Sequence, residues 1–317
     1  MKWGILGAAK IAAGELAPAM QLAKGAELVA VATRDPARAA PFKALVPGIK
    51  VHDSYDALLA DPEIDAVYIP LPNHLHVPMS IRAAEAGKHV LCEKPIALRA
   101  DEINSLIAAR DRTGKLIAEG FMVLHHPQWL LARDLLAGGV IGKLEHVEGV
   151  FTYCNRDTTN IRYDAAMGGG GLRDVGVYPS VTTRFVTGQE PTRLRSNMRM
   201  HNGVDVFARV WADFPDFSMS FYCGMMQEKR QQMLFHGQDG WIELSAPFNG
   251  PAYGDVRVDW KSADGRVSTQ RFNAVNQYAL MLENFAHSAT SGAPFACPLE
   301  FSKGNEAMID AIFEGAE

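Results

Sequence analysis

The spacing of apolar positions changes character once along the chain. Up to Glu119, short apolar runs at Lys2–Leu6, Glu27–Thr33, Ala66–Leu71, His89–Cys92 and Leu116–Glu119 alternate with stretches of helical period at Glu15–Lys24, Tyr55–Leu59, Val77–Ala86 and Asp101–Arg112. Continuous apolar runs separated by amphipathic helices predict a parallel sheet covered on both faces. Gly87 and Gly114 each follow a predicted helix, where a residue able to take positive φ is favoured. Asp101 is placed to cap the helix it opens.

Beyond a helix at Pro127–Ala137 the period falls to two. Leu144–Tyr153 is followed, after an apolar helix at Leu172–Thr187, by Arg193–Met200, Val204–Phe214, Ser218–Tyr222, Gln231–His236, Trp241–Leu244, Val256–Trp260 and Val267–Phe272. Successive short runs joined by turns predict an antiparallel sheet. Helices at Gln277–Ser291 and Pro298–Glu314 close the chain. The organisation expected is an α/β dinucleotide-binding domain over residues 1–121 and an α+β domain over residues 122–317.

The 317 residues, 48% hydrophobic and 21% charged, suffice for two domains with sizeable cores. A net charge of −5 without a Lys/Arg cluster argues against nucleic acid or an anionic membrane surface as partner. No apolar run reaches membrane-spanning length. Met1–Leu6 runs straight into a strand, with no room for a signal sequence, so a cytoplasmic location is expected. Cys92, Cys154, Cys223 and Cys297 are scattered and read as small hydrophobes, not as disulfides or zinc ligands.

The segment Gly7-Ala8-Ala9-Lys10-Ile11-Ala12, between the first strand and first helix, has the form of a dinucleotide-binding turn. Gly7 supplies the tight bend and Ala12 the close helix packing, while Ala9 stands where a second glycine is usual. Small residues there admit a pyrophosphate to the helix N-terminus. The second strand ends Ala32-Thr33-Arg34-Asp35. Arg34, helped by Arg38 one turn later, can pair with a 2′-phosphate, which favours NADP; Asp35 turned inward to the ribose is the competing reading and would favour NAD. At the end of the strand His89–Cys92 comes Glu93-Lys94-Pro95, on the edge where ligands bind in open α/β sheets.

The glycine turn, Asn73-His74-Leu75-His76, Glu93-Lys94-Pro95 and the later Gly168–Gly171 run leading into Leu172-Arg173-Asp174-Val175-Gly176-Val177-Tyr178 occur in order and at suitable spacing. Together they resemble the Gfo/Idh/MocA oxidoreductases over essentially the whole chain. Within that family the branch of NADP-linked aldose (xylose-type) dehydrogenases, glucose–fructose oxidoreductase and dihydrodiol dehydrogenases is most similar. The resemblance implies a Rossmann domain followed by a domain with a large, open, mostly antiparallel sheet, whose outer face would make a homodimer or homotetramer. It also implies that Glu93, Lys94 and Pro95 lie beside the nicotinamide, with Leu71, Asn73 and His76 along the cofactor. His74 and His76 lack a supporting carboxylate constellation, and no metal is expected.

Asp174 and Tyr178, four residues apart, would share one helix face. Tyrosine has a reference pKa near 10, so an adjacent ammonium and an oxidised nicotinamide are needed to favour its phenolate. Tyr178 is therefore expected to exchange the proton of an alcohol or carbonyl substrate while Lys94 stabilises the developing alkoxide. Asn155, Asn160 and Arg162 read as a substrate-side loop suited to polyols, with His125 as a polar contact and Trp129 as an apolar wall. Relatives often carry an arginine shortly after the Phe121-Met122 pair, where this chain reads Val123-Leu124-His125-His126. The missing cation makes a less hydroxylated substrate, such as a dihydrodiol or a deoxy or anhydro sugar, an alternative to an aldose; a reductase of dicarbonyl or anhydro sugars would use the same site in the opposite direction. A catalytically silent NADP-binding sensor is the alternative of another class; such a protein needs neither Lys94 nor Tyr178. The chain ends soon after Ile309–Phe313, so the final helix is expected to be trimmed relative to members of that family.

Overall fold

A computed structural model describes residues 1–250 and 254–315. Contacts divide the chain into two compact units, Met1–His125 with Asn276–Lys303, and His126–Val275 with Gly304–Glu317.

In the first unit β1 (Lys2–Leu6), β2 (Glu27–Ala32), β3 (Lys50–His52), β4 (Ala66–Ile69), β5 (His89–Cys92) and β6 (Ile117–Glu119) form one sheet in the order β3-β2-β1-β4-β5-β6. Every pairing is parallel. The order reverses between β1 and β4, which opens a crevice at the carboxyl ends of these strands. The helices are α1 (Ala17–Leu22), α2 (Ala40–Leu45), α3 (Tyr55–Leu59), α4 (His76–Glu85) and α5 (Ile103–Thr113). Leu6, Ala32, Val67, Ile69, Val90 and Cys92 meet Ala83, Ala84 and Leu106 in its core.

Three local expectations needed correction. Strand β3 and helix α2 were not anticipated: β3 is a three-residue edge strand with Val51 alone apolar, too short to show a period. The first helix begins as a π-helical turn at Ala12–Leu16. Asp101 is not the cap of α5; it lies inside a 3₁₀ turn, Ala100–Glu102, where the Glu102 carboxylate accepts the N–H groups of Leu98 and Arg99 at 2.9 and 3.0 Å. Gly87 and Gly114 do take positive φ, 82° and 66°.

The second unit contains α6 (Pro127–Ala137), β7 (Leu144–Cys154), α7 (Val177–Thr187), β8 (Arg193–His201), β9 (Val204–Asp213), β10 (Ser218–Gly224), β11 (Met226–Gly237), β12 (Trp241–Leu244), β13 (Arg257–Lys261) and β14 (Val267–Arg271). The strands form an open sheet in the order β14-β13-β12-β11-β7-β10-β9-β8. Only β7 and β10 pair in parallel; the other neighbours are antiparallel. Strand β11 starts earlier than expected because its first residues, Met226–Arg230, are polar or exposed and hide the period.

Helix α7 lies on one face of this sheet. A Cβ at Gly149 of β7 would stand 2.8 Å from Met233 Sδ and 3.2 Å from the Pro179 Cβ, so glycine there lets the helix pack close to the strand. The other face carries His146, with Nδ1 2.7 Å from Ser218 Oγ and Nε2 3.0 Å from Ser220 Oγ, and an exposed Trp211.

The chain then returns to the first unit. Helix α8 (Gln277–Ser291) packs there through Phe285, whose ring centre is 5.0 Å from that of Trp3. The single boundary expected at residues 121 and 122 does not describe this return, in which Phe285 packs on Trp3 of β1. Helix α9 (Leu299–Glu314) crosses the division at Lys303. Among the described residues no helix is long and apolar enough to cross a membrane.

Candidate active site

At the crevice of the first unit, the ends of β1 and β2 are locked together. Gly7 N–H donates to Ala32 O at 3.0 Å, and Thr33 N–H to His52 O at 3.0 Å. Gly7 has φ of 104°, and a Cβ there would sit 2.9 Å from Leu71 Cδ2, so both conformation and contact require glycine. Leu71 therefore packs over the turn. Ala9 N–H turns back to Gly7 O at 2.9 Å. Lys10 is exposed and Ile11 half-buried at the start of the helix.

The acidic residue after β2 is committed elsewhere. Asp35 Oδ1 accepts Ala37 N–H at 3.0 Å and caps the turn Pro36–Ala39, while Thr33 Oγ1 bonds the Asp35 backbone. Arg34 is exposed, and the Arg38 guanidinium donates to Ala8 O at 2.9 Å. Among the described residues Asp35 is thus turned to its own loop, and Arg38 reaches the glycine turn while Arg34 is exposed at the end of β2. The small Gly7-Ala8-Ala9 backbone, the helix start and these cations fit a dinucleotide carrying an extra phosphate.

Buried side chains hold the Glu93-Lys94-Pro95 segment, whose Lys94–Pro95 peptide is cis. His76, 0% exposed, sits 2.7 Å through Nδ1 from Pro95 O and 2.7 Å through Nε2 from Leu71 O. Two carbonyl partners call for the imidazolium form, whereas burial favours the neutral ring; burial is the larger effect and lowers its pKa. Both ring nitrogens lie against backbone carbonyls, so the ring is a strut between two strand ends. Tyr68 Oη donates to Glu93 Oε1 at 2.5 Å. Glu119 Oε1 accepts Ile96 N–H at 2.9 Å, and burial raises this carboxyl to about 7 against hydrogen bonds from Ser302 and Ile96. Asn73 lies in a 3₁₀ turn, Asn73–Leu75, just ahead of α4, and Lys94 is half-buried.

In the second unit Tyr178 is the second residue of α7 and only 4% exposed. Its ring centre is 5.3 Å from those of Phe151 and Phe248. Asp174 lies one turn earlier, in a π-helical turn, Leu172–Gly176, so the regular helical face expected for the pair is interrupted between them. Asp174 Oδ2 accepts from Tyr153 Oη at 2.6 Å and from Arg162 Nε at 2.7 Å. The nearby Asp174 charge raises the Arg162 pKa, and burial raises that of Tyr153, so both remain protonated donors. The arrangement can present an ionised carboxylate beside a largely buried phenol.

The glycine run makes room for the chain itself. A Cβ at Gly169 would lie 2.5 Å from Arg162 O, and one at Gly170 would overlap Asp205 Oδ1. Asp205, on β9, accepts Leu172 N–H at 2.6 Å and occupies the start of the helical segment. Burial raises its carboxyl to about 6, against backbone hydrogen bonds that lower it. The space these glycines leave is thus filled by the chain's own atoms.

Other expected site residues are not gathered here. His125 is 5% exposed in the first unit, with Nδ1 2.8 Å from Asn284 Nδ2 and its ring 4.9 Å from that of Phe295. Burial lowers its pKa to about 3, so it is a neutral core histidine and not the substrate contact expected. Asn155 Oδ1 accepts Asp157 N–H, and Asn160 Oδ1 accepts Arg162 N–H; both shape the loop locally. Trp129 stacks on Phe248 at 6.1 Å, so it reaches the surroundings of Tyr178 only through that ring. Tyr68, Glu119, Tyr153 and Asp205 were not singled out from sequence. Tyr153 had one usable signal: it shares strand parity with Phe151 and so the helix-covered face. Among the described residues no group of three or more His, Cys, Asp or Glu side chains is gathered as a metal site.

Comparison with known proteins agrees with this layout. Residues 1–121 match the Gfo/Idh/MocA oxidoreductase family with an NAD-binding Rossmann fold, and residues 129–243 match the Gfo/Idh/MocA C-terminal domain. An uncharacterized oxidoreductase of Rhizobium meliloti is 41% identical, covering 100% of this chain and 97% of its own. The D-xylose 1-dehydrogenase (NADP(+)) 2 of Haloferax volcanii is 33% identical, covering 100% and 98%. A 3-ketoreductase from Actinomadura kijaniata, solved with NADP and TDP-benzene, superposes with a TM-score of 0.91 at 31% identity, covering 100% and 98%. That ketoreductase has also been solved with a tyrosine replaced by phenylalanine and with a lysine replaced by alanine. With both domains matched in order and relatives aligned end to end, this chain belongs to the Gfo/Idh/MocA family of oxidoreductases.

Proposed function

We propose that the protein is an NADP-dependent oxidoreductase acting on a secondary alcohol or carbonyl of a sugar-like substrate. The observation that carries this reading concerns spacing. The tyrosine and lysine altered in the ketoreductase stand as far apart in that chain as Tyr178 and Lys94 do here. NADP, when bound, supplies the hydride acceptor or donor. Gly7, Ala8 and Ala9 would receive its pyrophosphate at the first helix, and Arg34 and Arg38 its 2′-phosphate. Tyr178 takes the alcohol proton on its hydroxyl oxygen, or returns it to the carbonyl oxygen in reverse. The Lys94 ammonium stabilises the developing alkoxide, and Asp174 orients the substrate hydroxyl.

A second reading, reduction of a keto sugar, uses the same residues in the opposite direction and is favoured by the likeness to the ketoreductase. The open outer face of the second sheet, with Trp211 exposed and Phe207 and Tyr222 partly so, supports assembly into a homo-oligomer. The functional reading is tested by absorbance at 340 nm with NADP+ and a panel of aldoses and diols, D-xylose included, and with NADPH and keto sugars. Turnover of at least one member is expected; cofactor binding without turnover anywhere indicates a silent sensor.

A further inference from the structure

Resting on the reading that Asp174 and Tyr178 serve the reaction, we propose that Tyr153 is a positioning residue of this site, acting through Asp174. Tyr153 is the penultimate residue of β7 and lies on the face that α7 covers. Its hydroxyl donates to Asp174 Oδ2 at 2.6 Å, and the Arg162 guanidinium donates to the same oxygen at 2.7 Å. Two donors on one oxygen, one of them cationic, favour the ionised carboxylate and hold its plane. This anchoring matters because Asp174 stands in a π-helical turn, where the regular ladder of backbone bonds does not set the side chain's direction. The anchors come from separate elements, β7 and the turn Ile161–Tyr163.

The consequence is a division of labour. Asp174, held as a carboxylate, orients a substrate hydroxyl by accepting from it, and the proton is exchanged by Tyr178. The hydroxyl of Tyr153 is separable from its packing. The side chain packs against the cluster of Tyr163, Val204, Val206 and Met225, packing that phenylalanine keeps.

The test is a double-mutant cycle on the full chain with NADP+ and the fastest substrate of the panel: wild type, Tyr153→Phe, Asp174→Asn and the double variant. Tyr153→Phe is expected to lower kcat about tenfold, with NADP+ Kd unchanged, and to change kcat less than about twofold once Asp174 is already Asn. An equal loss in both backgrounds, or no loss beside Asp174, overturns the inference. Full turnover by Tyr178→Phe in the same assay overturns the functional reading instead, and absence of turnover across the panel overturns both.

Discussion

In the first unit the buried polar side chains around Glu93-Lys94-Pro95 grip backbone atoms: His76 holds Pro95 O and Leu71 O, and Glu119 holds Ile96 N–H. In the second unit Tyr153 and Arg162 grip a side chain, the Asp174 carboxylate, while Asp205 takes the start of the helical segment. The first arrangement fixes where a loop runs and hence where Lys94 can reach. The second fixes the direction and charge of a carboxylate proposed to orient the substrate. Disturbing the first should therefore affect cofactor binding and turnover together, whereas disturbing the second should affect turnover alone.

The largest expected effect belongs to the second unit. Tyr178→Phe removes the hydroxyl proposed to carry the proton, and kcat should fall by about 10²-fold or more with NADP+ Kd within about twofold of wild type. A joint loss of affinity would erase the contrast between the units. Next comes His76→Phe, which keeps a buried ring and removes both backbone contacts. A displaced Lys94 segment should cost about 30-fold in kcat and also weaken NADP+ binding, read by fluorescence titration. Loss of stability with intact kinetics would make His76 a core residue only.

Arg34→Asp should move the ratio of kcat/KM for NADP+ over NAD+ by about tenfold toward NAD+. An unmoved ratio would remove Arg34 from phosphate recognition and leave Arg38, bonded to Ala8 O, as the reader. The smallest effect concerns Glu119. Its carboxyl, raised to about 7 in the fold, binds its proton more tightly than the unfolded chain does. Wild type therefore loses stability relative to Glu119→Gln as pH rises from the ordinary carboxyl range to about 7, by about 1–3 kcal/mol. Urea unfolding at pH 5 and pH 8 checks the sign; a pH-independent difference would contradict it.

The same contrast explains what was legible in the sequence. The first unit's strands and turns are local patterns, and Gly7 and Glu93-Lys94-Pro95 stand out from apolar runs and a few spaced residues. Its struts did not show: the sequence placed His76 along the cofactor but cannot reveal that both ring nitrogens meet carbonyls, and His125 looked polar although Phe295 and Asn284 enclose it. In the second unit the Asp174–Tyr178 spacing was visible. The partners that set Asp174 come from elements 12 and 21 residues away, and Asp205 lies 33 residues from its helix start. Such pairings depend on sheet register, which a run of alternating residues does not specify. The glycine run shows the limit most clearly: its small residues were visible, but that they yield to Arg162 O and Asp205 required the fold.

The central claim, hydride transfer by this chain, is tested most directly with a fully deuterated form of the fastest sugar or diol and NADP+ in a single turnover, followed by NMR of the recovered cofactor. Deuterium at C4 of the reduced nicotinamide is the result predicted. Reduced cofactor without deuterium, or bound NADP+ that is never reduced, would contradict it.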